Sequence, residues 1–250
     1  MQARLGAVSR EDRALIWVLP LLVVAALVGW ALWRATASLD DVEARLLAWD
    51  TIASLTGQHV RPVLVCAALV TLVAVPAGVA LTRRGLRPVA PAVLGVANAG
   101  QAAPVIGVIV LLALLLGFGF WVAVLALVLY AILPVLANTT AGIRGVDPQI
   151  VEAARGMGMS PAQVLLRVEL PLALPVIMTV LRTALVLLVG AGAFATFIDA
   201  GGLGVLIQTG IVMFRYSILV SGALLVACLA LAVEWGGRVM ELLLRPKGTR

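Results

Sequence analysis

The residues whose types and spacing could do chemistry are concentrated in one polar segment, 147–171, which has a long apolar run on each side. Glu152 and Arg155 lie three positions apart, so on a helix they share a face and can set the register of a partner by charge. Small residues surround them and would let another protein's surface approach closely, namely Ala153, Ala154, Gly156 and Gly158. The pattern predicts a docking surface, and the alternative is a solvated loop that happens to be helical.

Helix-capping residues divide this segment in two. Asp147 followed by Pro148 is a favourable helix start, with Asp as the N-cap and Pro at the first helical position. Ser160 and Pro161 repeat the pattern, and the glycines between the two starts favour a helix end there. The sequence therefore predicts two short helices, the second of which Pro171 is expected to close.

Residue sets that would support catalysis or metal binding are missing from the sequence. It contains no G-x-x-x-x-G-K-[ST] pattern, so a P-loop for ATP is not expected. His59 is the only histidine, and we expect it to be a polar residue at the edge of a membrane rather than a metal ligand. Cys66 and Cys228 lie in apolar runs and are expected to be small buried hydrophobic residues. The chain is therefore predicted to be neither an enzyme nor a metal-binding protein.

Composition places the chain in a membrane. Of its 250 residues, 63% are hydrophobic and 12% are charged, whereas soluble proteins carry about 25% charged residues. A helix needs about 20 apolar residues to cross a bilayer. Six runs meet that length, at 14–33, 61–81, 89–116, 119–138, 172–198 and 214–235. The first run is long for the core of a cleaved signal peptide, so we expect it to be retained as a span.

The distribution of Lys and Arg predicts the orientation. If the N-terminus is cytoplasmic, the cytoplasmic segments hold 13 of the 18 Lys and Arg residues. This matches the bias of cytoplasmic loops towards basic residues, and six spans require both termini to share a side. The formal charge of +6 is explained by these loops, so nucleic acid is not expected as a partner.

Polar residues inside the apolar runs need protein partners or water. Asn98, Gln101 and Pro104 lie near the start of the third run, which could be a broken helix or a short helix followed by a span. The two amides could line a translocation path or bond between helices. Arg182 lies within the fifth run, where pairing with Glu234 is one role and contact with a substrate is the other.

Two connecting segments also carry structural signals. The four residues Asp199, Gly201, Gly202 and Gly204 predict a tight turn or a re-entrant piece, which we assign to an outer gate. In the outer loop, 34–60, apolar residues at near-helical spacing predict a short amphipathic helix with Trp49 at headgroup level. The alternative for this loop is a partly ordered connector.

The polar segment resembles the signature loop of permease subunits of binding-protein-dependent ABC importers. The family pattern is E-A-A, three residues, G, nine residues and I-x-L-P. This sequence has the acidic and alanine positions at 152–154, the glycine at 158, and Val168, Glu169, Leu170 and Pro171 at the end. Only the isoleucine position departs, and valine is a mild change.

The resemblance implies an all-α integral membrane protein with a MetI-like core of permease helices and an extra N-terminal span. It implies that 139–171 is a coupling loop, with Leu170 and Pro171 at its end, which docks on a cytoplasmic ATPase dimer. It further implies a second permease subunit, a periplasmic or tethered substrate-binding protein, and ATP with Mg on the partner ATPase rather than on this chain. The core is expected over 61–236, after an N-terminal part over 1–60 and before a basic tail over 237–250.

Further stretches resemble the osmoprotectant branch of that family, which imports quaternary amines such as glycine betaine, carnitine and choline. They are the region around 142–184, "FIDAGGLGVLIQTGI", and the Gln-x-x-Pro segment at Gln101 and Pro104. Asp199 and the Ala102-Ala103 pair depart from the usual residues, so the exact substrate is left open. Permeases for methionine and other amino acids share a related Gly-rich segment, so an amino-acid permease is an alternative. A self-contained secondary transporter or channel is an alternative from another class.

Overall fold

The computed structural model describes the backbone of residues 10–244 and the side chains of residues 14–243. The start of the predicted N-terminal part, 1–60, and the end of the predicted basic tail, 237–250, lie outside the described residues. Within it there is no strand. The helices are α1 (Arg10–Thr36), α2 (Asp41–Leu46), α3 (Trp49–Ala80), α4 (Ala90–Gly100), α5 (Val105–Leu116), α6 (Phe120–Arg144), α7 (Pro148–Gly156), α8 (Pro161–Val164), α9 (Leu170–Gly192), α10 (Gly204–Val212) and α11 (Tyr216–Leu244). A π-helical turn, Leu165–Glu169, joins α8 to α9, and a 3₁₀ helix, Ala193–Ile198, follows α9.

The number of spans agrees with the sequence. Five helical stretches in the described residues are long and apolar enough to cross a membrane, and the pair α4 and α5, bent by 96°, is either a broken sixth span or a re-entrant loop. Residues 101–104 separate those two helices, and Pro104 is the N-cap of α5. Proline has no backbone N–H to donate to the carbonyl four residues earlier, so Pro104 itself explains why the helix breaks here. The predicted all-α fold with about six spans is confirmed, and the third apolar run is interrupted at 101–104.

The second span starts much earlier than predicted. α3 begins at Trp49, whereas the apolar run begins at 61, so the boundary drawn between 60 and 61 falls inside a helix. The short helix predicted in 34–60 is present as α2, and Asp40 and Glu43 form a capping box at its start. Leu47, directly after α2, has no exposed surface because it packs into the core.

Two sets of contacts place the ends of the helices. Trp235 Nε1 donates to the carbonyl of Ile16 at 2.9 Å, so the start of α1 lies beside the C-terminal part of α11. Arg83, which follows α3, pairs with Glu169, so the polar segment lies at this same end of the bundle. We call this end the terminal end.

The opposite end is closed by the loops between the other helix termini. Gly119 N–H donates to the carbonyl of Ile198 at 2.8 Å, which joins the start of α6 to the end of the 3₁₀ helix. Arg215, before α11, pairs with Asp40 of the α1–α3 connection. All the segments predicted to be outer loops therefore meet at one end.

Packing is centred on α3, α6, α9 and α11, while α1 lies at the periphery against α11. Trp30 Nε1 donates to Ser221 Oγ at 2.9 Å and holds α1 in place. The outer face of α1 stays apolar, with Leu21 67% exposed. A lipid environment accepts such a face without penalty, so exposure of apolar residues is expected here.

Pro171 does not end the second helix of the polar segment, which corrects the prediction. The chain continues as one helical stretch over Pro161–Ile198. The π turn just before Pro171 supplies the reason, since Leu170 N–H bonds to the carbonyl of Leu165 in an i→i−5 pattern. The wider turn makes room for a ring that would otherwise clash with the preceding turn.

Candidate functional site

The polar segment forms its first helix as the capping residues predict. Asp147 caps α7, and its side chain accepts from Gln149 N–H at 2.8 Å. After α7 the backbone of Gly158 has φ of +81°. Gly158 N–H donates to the backbone carbonyl of Arg155, and Met159 N–H donates to that of Ala154. These two bonds satisfy carbonyls in the last turn of α7. The motif glycine is therefore a turn glycine, in a conformation that side-chain-bearing residues rarely adopt.

The second helix starts with a reciprocal cap. Ser160 N–H donates to Gln163 Oε1 at 2.9 Å, and Gln163 N–H donates to Ser160 Oγ at 3.3 Å. A capping box fixes where a helix begins and its direction. The two caps make the segment a defined helix–turn–helix rather than a loose loop.

The outer surface of the segment offers both charge and apolar area. Glu152, Ala153, Arg155 and Gly156 are exposed, as the docking interpretation expects. Three large apolar side chains are also exposed, Ile150 at 46%, Met157 at 72% and Leu166 at 63%. Exposed apolar residues outside the bilayer are typical of a surface that another protein covers.

Ala154 differs from its predicted place. It is only 2% exposed, because it is turned towards the chain's own helices. Its small size allows α7 to pack closely on this chain, so it supports the segment and does not contribute to the outer surface. Leu170 and Pro171 are half-buried in the helix that follows.

An ion pair that the sequence analysis did not identify anchors the segment. Arg83 Nη2 lies 2.6 Å from Glu169 Oε2, and the Glu169 side chain is only 10% exposed. Arg144 also reaches across to donate to the carbonyl of Leu81 at 3.4 Å. Glu169 occupies the variable position of the I-x-L-P pattern, so the motif does not identify it. The sequence indicated its partner only through the arginines that follow the second span, Arg83, Arg84 and Arg87.

A polar groove of about 470 Å³ lies beside this anchor. Four arginines and two glutamates line it, namely Arg83, Arg87, Arg144, Arg155, Glu152 and Glu169. The groove joins the helix–turn–helix to the connection between α3 and α4. The terminal end thus carries a charged surface that the chain's own ion pair holds in shape.

The predicted path residues on the third span lie at its bend. Asn98 and Gln101 are exposed, and Gln101 Nε2 donates to Asn98 Oδ1 at 3.4 Å. The amides are paired within one stretch of chain, so the interhelical bond that was the alternative is not made in this chain. Pro104 is also exposed and starts α5, which packs against the 3₁₀ helix before Asp199.

The glycine-rich turn lies at the opposite end. Asp199 has φ of +57°, Gly201 +73° and Gly202 +96°, so three residues in four adopt left-handed backbone. A Cβ on Gly204 would collide with the carbonyl of Ala193. The predicted tight turn is present, and Gly202 N–H donates to Gln58 of α3 at 3.3 Å.

His59 is buried between helices, a packing role that its predicted place at the membrane edge did not specify. It is 2% exposed, and Nε2 donates to the carbonyl of Val189 at 2.9 Å. Added Cβ atoms on Gly192 and Gly202 would lie 3.2 Å and 3.1 Å from its ring nitrogens. The ring therefore ties α3 to the end of α9 and to the glycine-rich turn.

Arg182 makes the pairing that the sequence offered as one role. Arg182 Nη1 lies 3.6 Å from Glu234 Oε1 and 3.5 Å from Glu241 Oε2. Arg238 also donates to Glu234 at 2.7 Å. Two arginines and two glutamates thus link α9 to α11 within the bundle.

A second polar surface was not predicted. We call it the inner groove, an open depression of about 560 Å³ in the face formed by α6, α9 and α11. It is lined by Pro134, Asn138, Pro175, Val176, Thr179, Val180, Thr183 and Glu241. The sequence contained part of the information needed to predict this groove, since Thr179 and Thr183 are four residues apart and share a helix face.

Comparison with known proteins agrees with this geometry. Residues 74–245 match the family model described as binding-protein-dependent transport system inner membrane component. The choline transport system permease protein OpuBB of Bacillus subtilis (strain 168) is 39% identical over 193 residues, which are 77% of this chain and 88% of that protein.

Two further relatives are similarly close. The carnitine transport permease protein OpuCB of Listeria monocytogenes is 39% identical over 195 residues, 78% of this chain and 88% of that protein. The osmoprotectant import permease protein OsmW of Salmonella typhimurium (strain LT2) is 39% identical over 204 residues, 80% of this chain and 94% of that protein.

The fold is shared with a solved transporter. An inward-facing structure of the MetNI methionine ABC transporter superposes with a TM-score of 0.71, covering 85% of this chain and all of that chain at 22% identity. At this identity the likeness concerns the fold alone. From the family match and the relatives together, the chain belongs to the binding-protein-dependent transport system inner membrane components, the multi-pass permease subunits of ABC importers.

Proposed function

We propose that this chain is the permease subunit of an ATP-driven importer of a quaternary-amine osmoprotectant of the glycine betaine, choline and carnitine class. The observation that carries the substrate class is the identity of 39% to a choline permease over 77% of the chain. Relatives named for carnitine and osmoprotectant import support the same class. The structural likeness to a methionine transporter concerns the fold, so it gives the methionine alternative no added support.

The coupling role rests on the helix–turn–helix. It is folded by its own caps, anchored by the Arg83–Glu169 pair at 2.6 Å, and exposes Met157 and Leu166 beside the charged residues. A rigid element with an uncovered apolar surface is suited to transmit movement from a separate motor. We infer that Glu152, Arg155 and their small neighbours contact an ATPase dimer, and that ATP and Mg bind to that partner.

The remaining parts of the assembly follow from the same proposal. A second permease subunit, identical or homologous, completes the path, and a periplasmic or tethered binding protein delivers the substrate. The terminal end faces the cytoplasm, since it carries the basic loops, and the opposite end faces outward. The bend at Asn98, Gln101 and Pro104 and the turn from Asp199 to Gly204 belong to the path and to its outer gate.

Reconstitution tests the proposal. The chain is co-produced with its ATPase and binding protein, inserted into vesicles, and supplied with labelled choline, glycine betaine and carnitine. We expect uptake that needs ATP and the binding protein. Uptake by the chain alone, driven by an ion gradient, would instead identify a secondary transporter.

A coupling variant separates docking from transport. Glu152→Lys with Gly158→Trp places a reversed charge and a bulky ring on the exposed surface. We expect loss of ATPase co-purification and of uptake. Gly190→Ala, where nothing lies within 4 Å of an added Cβ, is the matched control on a span. Normal co-purification and uptake in the double variant would refute the coupling role.

A further inference from the structure

The inner groove has polar side chains where lipid would be an unfavourable neighbour. Asn138, Thr179 and Thr183 are all exposed on helices that cross the membrane. Each donates to the carbonyl four residues earlier, at 2.8 Å for Asn138 and 3.0 Å for each threonine. Their oxygens keep acceptor capacity, since a hydroxyl or amide oxygen can accept while the group donates elsewhere. Polar groups at membrane depth face protein or water rather than hydrocarbon, so this face borders an aqueous space or another subunit.

Among the residues with described side chains, 14–243, Glu241 is the only charged one that lines the inner groove. Thr179 Oγ1 lies 3.4 Å from Glu241 Oε1, which places the carboxylate on the groove wall. Arg182 approaches its other oxygen at 3.5 Å and is 14% exposed, so the arginine lies behind the carboxylate.

The other carboxylate of this ionic cluster does not line the groove. Glu234 is held by Arg238 at 2.7 Å and lies 3.6 Å from Arg182. The cluster has two arginines and two glutamates, so its charges balance. Of these four residues, only Glu241 lines the groove. A cation in the groove therefore meets a carboxylate before it meets either arginine.

The lining also suits a cation without hydrogen-bond donors. Its polar side chains are one asparagine, two threonines and one glutamate, each of which carries an oxygen, and it includes two prolines and two valines. A quaternary ammonium group has methyl groups that pack against apolar surface and a positive charge that oxygen atoms stabilise, while it offers no N–H to bond. An anion of the same size would be repelled by Glu241.

We propose that the inner groove is a cation-preferring part of the transport path, with Glu241 as the counter-charge for a quaternary ammonium group. The identity of the cargo rests on the proposed function, whereas the charge preference rests on the groove alone. The two are therefore tested separately.

Charge-selective labelling tests the groove without any substrate. In the assembled transporter in vesicles, Thr183→Cys is treated with a cationic trimethylammonium-ethyl methanethiosulfonate or with its anionic sulfonatoethyl counterpart. The native cysteines are buried, at 0% and 5% exposure, so the unmodified chain gives the baseline. We expect the cationic reagent to react faster, and Glu241→Gln to reduce the ratio of the two rates several-fold, because removing a negative charge slows the cationic reagent and speeds the anionic one.

Glu234→Gln is the matched control. It removes the same charge from the same ionic cluster, but its side chain does not line the groove. We expect the ratio of labelling rates to stay near that of the parent. If both variants lower the ratio equally, the effect belongs to the ion pair and the proposal fails. It also fails if Thr183→Cys reacts with neither reagent in any nucleotide state, since a second subunit or lipid then covers the face.

Uptake measurements complete the test with two probes of different net charge. Choline carries one positive charge, whereas glycine betaine also carries a carboxylate. At saturating binding protein, we expect Glu241→Gln to lower the maximal rate for choline several-fold more than that for glycine betaine, and Glu234→Gln to affect both alike. Equal losses for both probes in Glu241→Gln would overturn the proposal. Charge-selective labelling without uptake of either probe would keep the groove and reject the proposed cargo.

Discussion

The Arg83–Glu169 pair gives the sharpest prediction about the polar segment. Glu169→Ala leaves Arg83 without its partner at the point where the helix–turn–helix joins the rest of the chain. Breaking a fully buried pair costs about 3–5 kcal/mol. Because the Arg83 side chain is 36% exposed, water can solvate the remaining charge, and we expect a cost near 2 kcal/mol.

That cost should appear as local opening rather than global unfolding. A change of about 2 kcal/mol raises the open population of the segment about 30-fold. Trypsin cleaves after arginine, and Arg155 and Arg167 lie in the segment on either side of the turn. Under conditions where cleavage follows the open population, we expect Glu169→Ala to be cut within the segment at least tenfold faster than the parent.

Two comparisons make this prediction refutable. Glu152→Ala removes an exposed carboxylate from the same segment and should leave the cleavage rate within about twofold of the parent, as surface substitutions cost little. Arg83→Ala combined with Glu169→Ala should be no worse than the more severe single variant, since the two residues then share one lost interaction. Equal rates for both glutamate variants, or simple additivity in the double variant, would show that the pair does not anchor the segment.

Three further substitutions test individual contacts. Gly158→Ala, at φ of +81°, should cost about 1 kcal/mol and reduce ATPase co-purification in a pull-down; unchanged recovery would contradict the turn assignment. Gly204→Ala should collide with the carbonyl of Ala193 and lower the yield of monodisperse protein on size exclusion, whereas Gly190→Ala, with open space around it, should not. His59→Ala removes the donor to Val189 and should lower thermal stability by about 1–3 kcal/mol, and a melting temperature equal to that of the parent would show that the bond contributes nothing.

Local features of the polar segment were predictable because their causes lie within one helical turn. Asp147 and Ser160 start helices with side-chain oxygens that reach only two or three residues ahead. Gly158 ends α7 because its own backbone conformation requires it. The expectation for Pro171 was wrong for the same local reason, since a π turn directly before it relieves the clash that normally ends a helix.

Burial was much harder to predict. In a soluble protein an apolar face indicates the core, but here lipid accepts apolar residues on the outside as well. Ala154 was therefore placed at an exposed surface, although it is buried, and the burial of His59 was not predicted. The 96° bend between α4 and α5 was only one of two alternatives, since proline and amides near a helix start do not specify an angle.

The sequence by itself determined the apolar runs of membrane-spanning length, the two capped helices and the resemblance of the polar segment to a signature loop, because these depend on apolar length and on residues close together in the chain. Only the tertiary structure decided which distant groups meet. It joined Glu169 to Arg83 and placed Glu241 between Arg182 and the inner groove. It also packed the ring of His59 against Gly192 and Gly202. These contacts depend on how the helices rotate and cross, and neither quantity is encoded in the spacing along any single helix.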